Sequence, residues 1–292
     1  MTVIVDFTND WKQYVVNDIS SQGYTVDQSE DLHLLSYKFF NLRKRRIAAA
    51  PRNVLESNSF SCPTDLTNGY DILKDKLVKG HDVCSHLSKF LLQDDYEDSL
   101  LNDWGIHHFH LGINPGKSGF IERTGPLLFA HVTVDSVYCL GIYPHGSWTQ
   151  QELIRVIHDN WPSVISVRKL NGILGLSQAP TDRDIAQLRK AGVQTMVQIS
   201  PEIVYAPLGG GYSTAGTSIE STMRADRYMR LIRNLEDHVK ENTEKFTNKI
   251  QELGYVHGNP PSFSLMIDDR GFFAVETNSG VAFLLHNHTA TN

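Results

Sequence analysis

Three short segments rich in β-branched and aromatic residues, at 106–112, 127–134 and 137–143, constrain the fold most strongly. Only Asp135 and Ser136 separate the last two segments. Two residues suffice for a tight turn between antiparallel strands, whereas parallel strands need a crossover connection of about a dozen residues or more. The sequence therefore predicts an antiparallel β-meander in the middle of the chain.

Helical periodicity on both sides of this meander predicts an α+β protein. Apolar residues recur at spacings of three and four within 28–50, and two short helices are expected within 72–92. A long helix over 218–253 carries an apolar stripe, and a second antiparallel meander follows it in 262–286. We expect three regions, which one domain can also contain. They are a helical N-terminal region at 1–97, a central α+β region at 98–208, and a C-terminal long helix with its meander at 209–292.

Charge and cysteine content limit the class of protein. The formal net charge of −6 excludes a surface that is basic all over, so any contact with nucleic acid must be confined to a local patch. The three cysteines are far apart and form no CxxC pair, which favours free thiols. No segment has the roughly 18 to 20 consecutive apolar residues that span a bilayer. We expect a cytoplasmic protein that does not enter the membrane.

Histidines concentrate on the first meander. The chain has thirteen histidines. Five lie on or beside this meander, namely His107, His108, His110, His131 and His145. Side chains alternate along a strand, so His108 and His110 share one face while Phe109 and Leu111 form core on the other. We therefore expect the His108 and His110 rings to point toward a cleft or solvent.

The surroundings of His131 and His145 are predicted from the turn and the strand end. A two-residue turn would place His131 opposite Leu140 in apolar company, where a structural and a functional role both stay open. His145 precedes Gly146 just past the last strand, where loops display side chains beside a rigid sheet. Such imidazoles can supply a base and an acid near neutral pH.

The order of these segments carries a family resemblance over about 98–152. The chain reads Trp-Gly-Ile-His-His-Phe-His-Leu-Gly, then Leu-Leu-Phe-Ala-His-Val, a tight turn, Val-Tyr-Cys-Leu-Gly-Ile and His-Gly. It resembles the RelE/ParE-type toxin superfamily of small antiparallel-sheet domains. The resemblance implies a metal-independent endoribonuclease with RNA as substrate, an antitoxin or other protein partner, and His108, His110 and His145 at the site. The family strand usually offers Arg or Lys where this chain has His.

Metal-independent cleavage of RNA needs three chemical functions. The 2′-hydroxyl must lose a proton, the leaving 5′-oxygen must gain one, and a positive group must hold the pentavalent phosphate. Histidines can serve the first two functions, and His131 is a further catalytic candidate. The substrate-binding candidates are Arg123 and Lys117 in the loop at 112–125 and Tyr143 at the end of the last strand.

Two other functions stay open. His108, His110 and His131, with Glu122 from the loop, are donors that Zn²⁺ or another divalent metal accepts, whereas the nuclease needs no cofactor. A non-enzymatic interaction protein, including a homodimer, would instead use the apolar stripe of the long helix. The run of three glycines at 209–211 lacks a Walker or GxGxxG pattern, and we interpret it as a flexible connector.

Overall fold

The computed structural model describes residues 2–116 and 118–287, and it confirms an α+β fold. The α-helices in this part of the chain are Phe7–Ser21 (α1), Leu32–Arg45 (α2), Thr67–Lys79 (α3), Ser99–Trp104 (α4), Glu152–Asn160 (α5), Asp182–Lys190 (α6), Ile219–Glu241 (α7) and Thr243–Glu252 (α8). The strands are Ile4–Val5 (β1), Asn53–Glu56 (β2), Ile106–Phe109 (β3), Pro126–Val132 (β4), Ser136–Pro144 (β5), Val197–Ser200 (β6), Ile203–Tyr205 (β7), Ser262–Asp268 (β8), Gly271–Glu276 (β9) and Ala282–Asn287 (β10). None of these helices is both long and apolar enough to cross a membrane.

The chain divides into two compact units. One unit combines the N-terminal chain up to Phe39 with the chain from Met223 onward, and the other runs from Phe40 to Thr222. The sequence analysis expected boundaries after residues 97 and 208, whereas the two units meet after residues 39 and 222. The physical reason is the pairing of β1 with β8, which joins the two ends of the chain in one sheet. Such long-range pairing leaves no mark in the local sequence pattern.

The first unit contains a sheet with the strand order β1-β8-β9-β10. The strands β8, β9 and β10 pair antiparallel, which confirms the predicted second meander. Helix α1 buries Trp11, whose indole Nε1 donates to Ser36 Oγ at 2.9 Å. The ring centroid of Phe246 lies 5.8 Å from that of Phe263 and 4.9 Å from that of Phe283. Aromatic packing of this kind supplies the core of the unit.

The predicted single helix over 218–253 is wrong, since α7 and α8 are separate helices that break at Asn242. The Asn242 side-chain amide donates to the His238 carbonyl oxygen at 2.9 Å, and the Thr243 hydroxyl donates to the Val239 carbonyl oxygen at 2.9 Å. Side chains of this type compete with backbone amides for helix carbonyls, which favours a break. The apolar stripe continues across the break, so periodicity alone does not reveal it.

The second unit is built around a sheet with the strand order β2-β5-β4-β3. Strands β3, β4 and β5 pair antiparallel, as the sequence predicts, and β2 adds to β5 in parallel. Helix α3 covers one face, where Phe109, Leu128 and Val137 are buried. Helices α4 and α5 cover the other face, where Ile106 and Phe129 are buried. With both faces covered, polar side chains on either face enter an apolar environment.

The register of β4 and β5 differs from the predicted one. The Thr133 amide donates to the Ser136 carbonyl oxygen at 2.8 Å, so the two turn residues are Val134 and Asp135 rather than Asp135 and Ser136. His131 therefore pairs with Tyr138 rather than Leu140. A register shift at Phe129 leaves Leu140 as the extra residue of a β-bulge, which side-chain alternation cannot anticipate.

The glycine run at 209–211 is packed against the C-terminal end of α4, so its interpretation as a flexible connector is wrong. The Gly209 amide donates to the Asp103 carbonyl oxygen at 2.9 Å, and the Gly211 amide donates to the Asn102 carbonyl oxygen at 2.8 Å. These bonds satisfy carbonyl groups that a helix end leaves without intrahelical partners. A Cβ atom on Gly209 would lie 2.1 Å from the Leu101 carbonyl oxygen, so only glycine fits.

We expect Gly209→Ala to lower the free energy of unfolding by about 2–3 kcal/mol, toward the upper part of the usual range for overpacking. The clash is with helix backbone, which cannot rotate away as a side chain can. Urea unfolding at neutral pH measures the difference. Gly125→Ala is the matched control, because a Cβ there meets nothing within 4 Å. Equal stability of the two variants would contradict the close packing.

Candidate functional site

Trp148 contacts two of the predicted site histidines. Its ring centroid lies 4.7 Å from that of His108 and 5.1 Å from that of His145, the latter in an edge-to-face arrangement. Phe129 lies beneath the same indole at a centroid distance of 5.4 Å. The partly buried tryptophan thus joins the end of the sheet to the two imidazoles. Sequence reasoning missed Trp148, and its place three residues after His145 was the available signal.

His145 lies just past β5, as predicted, and its side chain is exposed. The His145 amide donates to the Gly125 carbonyl oxygen at 3.1 Å, which fixes the backbone beside the loop before β4. Gly146 has a φ of +102°, a conformation that glycine adopts without strain. This turn leaves the imidazole at the surface next to Trp148.

His108 lies on β3 opposite Phe129 of β4 and is partly buried. Its Nδ1 atom is buried and has no hydrogen-bond partner in the described part of the chain. Burial lowers the pKa of His108, and the positive charge of Arg123 lowers it further, while Asp98 acts in the opposite direction. The ring is therefore neutral near neutral pH and can accept a proton.

A small cavity of about 20 Å³ lies beside His108, lined in part by Asp98 and His107. This volume is enough for roughly one water molecule, which needs about 10–15 Å³ and polar partners.

The expectation that His110 points into a cleft or solvent is wrong, since the residue is only 2% exposed. Strand β3 ends at Phe109, and the His110 amide donates to the His86 carbonyl oxygen at 2.7 Å instead of pairing with β4. Alternation along the strand therefore stops before this residue. The Thr124 amide donates to His110 Nδ1 at 3.2 Å, so the proton of the neutral ring lies on Nε2. Burial, followed by the charge of Arg123, lowers the pKa of His110 to about 4.

His86 is a second buried histidine that sequence reasoning missed. Its Nδ1 atom donates to the His110 carbonyl oxygen at 3.0 Å, and its Nε2 atom lies 3.2 Å from Lys76 Nζ. With the bond from the His110 amide to the His86 carbonyl, the two residues hold each other reciprocally. Burial lowers the pKa of His86 to about 4. The sequence gives no signal for this pair, because 24 residues separate its members.

His131 is turned toward the backbone rather than toward Trp148. Its Nδ1 atom donates to the Gly105 carbonyl oxygen at 2.9 Å, and its ring lies 6.2 Å from that of Tyr138. Burial lowers its pKa. This hydrogen bond satisfies the Gly105 carbonyl just past the end of α4, so the described role of His131 is structural.

Arg123 supplies the exposed positive charge near the histidines. It makes no hydrogen bond or ion pair to the residues that the structure describes, yet its charge lowers the pKa of both His108 and His110. Lys117 lies outside the described residues. Tyr143 packs edge-to-face against Phe129 at 5.6 Å, and burial raises the pKa of its hydroxyl. The structure thus brings His108 and His145 to one tryptophan ring, with Arg123 near enough for its charge to act on His108, and it packs Tyr143 against Phe129.

The alternative metal ligands are not brought together. Residues 2–116 and 118–287 contain no group of three or more His, Cys, Asp or Glu side chains arranged to hold a metal ion. His131 is bonded to Gly105, and Glu122 accepts a hydrogen bond from the Asn114 side chain at 3.3 Å. These residues therefore have other structural partners.

No model of a known family, no curated protein and no solved structure matches this chain. The resemblance to the RelE/ParE-type toxins stays a prediction from the sequence. The function therefore has to be argued from the site itself.

Burial of His86 and His110 predicts a pH-dependent stability. Their folded-state pKa values of about 4 lie below the roughly 6.5 of an unperturbed histidine. Between about pH 6.5 and 4 the unfolded chain therefore binds protons that the folded chain does not. The free energy of unfolding should fall as pH decreases through this window, by up to about 1.4 kcal/mol per pH unit for each histidine.

Urea unfolding of His86→Gln between about pH 7 and 4.5 tests this linkage. We expect a pH slope smaller than that of the wild type by about one proton, because one titrating group is removed. His81→Gln is the control, since His81 is exposed, and it should keep the wild-type slope. An unchanged slope in His86→Gln would show that the buried imidazole is not the source.

Proposed function

We propose that this chain is a toxin-like endoribonuclease that cleaves RNA by metal-independent acid–base chemistry at His108 and His145, with Arg123 as the phosphate-binding group. One observation carries the proposal: a partly buried imidazole with a lowered pKa and an exposed imidazole contact the same tryptophan ring. Two titratable groups in contrasting environments are the usual basis for dividing acid and base roles.

In the proposed reaction His108 is the general base and His145 the general acid. The neutral His108 ring takes the proton of the 2′-hydroxyl, and the 2′-oxygen attacks the adjacent phosphorus. The bond from phosphorus to the 5′-oxygen breaks, and this oxygen takes a proton from His145. The products are a 2′,3′-cyclic phosphate and a 5′-hydroxyl. Each proton transfer contributes about 10²- to 10⁴-fold to the rate.

Arg123 is suited to the developing charge on the pentavalent phosphate. A guanidinium presents paired N–H donors that match phosphate oxygens, and it carries its charge at any physiological pH. No carboxylate among the described residues pairs with Arg123, so the group is available to a ligand. Because the net charge of the chain is −6, a local cation is what an RNA contact requires.

His110 supports the site in this proposal without touching the substrate. Its Nδ1 atom accepts the Thr124 amide, and the Thr124 hydroxyl donates to the Pro126 carbonyl oxygen at 2.7 Å. These bonds fix the residue next to Arg123 in the chain. The catalytic role expected for His110 thus becomes one of holding the Arg123 backbone.

Trp148 adds a partly exposed aromatic face beside the histidines. Stacking of a base on such a ring contributes about 1–3 kcal/mol and suits single-stranded RNA, whose bases are free to unstack. We further propose a cytoplasmic location, where the buried thiols of Cys84 and Cys139 stay reduced. A nuclease of this kind in the cytoplasm needs an inhibitory protein partner comparable to an antitoxin.

Cleavage of single-stranded RNA in EDTA tests the chemistry. We expect His108→Ala and His145→Ala each to lower kcat/KM by about 10²- to 10⁴-fold, because each removes one proton transfer. The wild-type products should carry 2′,3′-cyclic phosphate ends, and an RNA with one 2′-deoxy nucleotide at the cleavage point should stay intact.

His81→Ala is the control for both substitutions, since it removes an exposed histidine outside the site. Cleavage by the histidine variants at the wild-type rate would identify a contaminating nuclease. Activity that disappears on chelation would replace the acid–base reaction with the metal alternative.

The phosphate role of Arg123 predicts a change in the salt dependence of binding. For a 2′-deoxy oligonucleotide that cannot be cleaved, Arg123→Ala should reduce the slope of log K against log salt by about 0.7, the value for one phosphate contact on a single strand. Fluorescence anisotropy at several salt concentrations measures this slope. Arg183→Ala, which removes an exposed arginine on α6, should keep the wild-type slope. Equal slopes for Arg123→Ala and wild type would remove Arg123 from the binding surface.

A further inference from the structure

A buried ion pair connects helix α6 to the segment that carries Trp148. Arg189 Nε and Nη2 donate to the same Asp103 carboxylate oxygen at 3.1 and 2.7 Å. Arg189 Nη1 donates to the Trp148 carbonyl oxygen at 2.6 Å. The guanidinium carbon also lies 4.8 Å from the centroid of the Trp104 ring. The side chains of Arg189 and Asp103 are only 6% and 1% exposed.

Stability alone is a weak reason for burying this pair. Removing two charges from water is costly, and replacing a buried pair with apolar side chains is often neutral or stabilising. Besides its charge, Arg189 has a planar guanidinium with several N–H donors. These donors bond the Asp103 carboxylate on one side and the Trp148 carbonyl oxygen on the other. A lysine cannot make both sets of bonds in the same geometry.

The ends of the segment between β5 and α5 are held by the His145 amide bonded to Gly125 and the Gln151 amide bonded to Asp182, and the backbone bonds between them are weaker. The Ser147 amide donates to the Pro144 carbonyl oxygen at 3.3 Å, and the Gln150 amide donates to the Ser147 carbonyl oxygen at 3.5 Å. Both bonds are long for N–H···O geometry. The 2.6 Å bond from Arg189 is the shorter restraint on this segment.

We propose that Arg189 is a positioning residue of the site, which holds Trp148 and thereby sets the placement of the His108 and His145 rings. Its effect on cleavage rests on the proposed function, whereas its effect on the rings does not. An error of about 1 Å in the placement of reacting groups can cost about 10²-fold in rate. Since Arg189 does not touch the substrate, its loss should lower kcat far more than it raises KM.

Two variants test the proposal. Arg189→Lys keeps a positive charge for Asp103 but loses the donor to Trp148. The double variant Arg189→Met with Asp103→Asn removes both charges, so no unpaired charge is left in the interior. Arg183→Lys is the matched control, because it makes the same change at an exposed position of the same helix.

The first readout is the NMR shift of the His108 and His145 ring protons, which depends on the ring current of Trp148. We expect both signals to move in the two Arg189 variants and to stay in place in Arg183→Lys. The second readout is RNA cleavage, in which kcat should fall about 10- to 10²-fold while KM changes less than about 2-fold.

Folded variants with wild-type ring signals and wild-type kcat would overturn the proposal. Loss of the fold in both variants would show a purely structural role and would overturn it as well. If the wild type does not cleave RNA, the proposed function fails, and the ring signals alone then decide the role of Arg189.

Discussion

The burial of both faces of the β2-β5-β4-β3 sheet is the constraint on which the candidate site depends. Helix α3 covers one face and helices α4 and α5 cover the other, so a polar side chain on β3 or β4 has no open face to reach. A histidine side chain can be buried there because it can lose its charge and can form hydrogen bonds through either ring nitrogen. His110 and His131 both do so, with bonds to the backbone of neighbouring segments. The lowered pKa values of these rings follow directly from their burial.

The candidate site is therefore confined to the end of the sheet, where strands stop and loops begin. His145 follows β5, Arg123 precedes β4, and His108 lies near the end of β3, so three different loops and strands meet there. The bond between the His145 amide and the Gly125 carbonyl oxygen ties two of these segments together. A rigid sheet that presents side chains at its end is a common arrangement for functional residues, because the scaffold fixes the loops.

Local sequence patterns predicted the helices and strands well, but they predicted the register and the contacts between these elements poorly. The meander and helix α6 follow from residue type and periodicity, which are properties of single segments. The direction of the His110 side chain depends on where β3 ends, and the partner of His131 depends on which residues form the turn after β4. Packing against other segments sets both. The glycine run was evident in the sequence. The close fit of Gly209 on α4, however, depends on residues about a hundred positions away. Arg189 was missed for the same reason, since only the folded chain shows its bond to Trp148, whereas Trp148 itself lies only three residues after His145 in the sequence.

The same constraint favours histidine over arginine or lysine at position 110, just past the end of β3. A guanidinium at position 110 would carry a permanent charge into a site that is 2% exposed, at a cost that only a buried partner could offset. An imidazole avoids this cost by losing its proton, but it then gives up the attraction for phosphate. The proposed function therefore assigns the positive charge to an exposed residue, Arg123. In the proposed reaction the general base and the phosphate-binding group are thus separated, with His108 partly inside the fold and Arg123 at its surface.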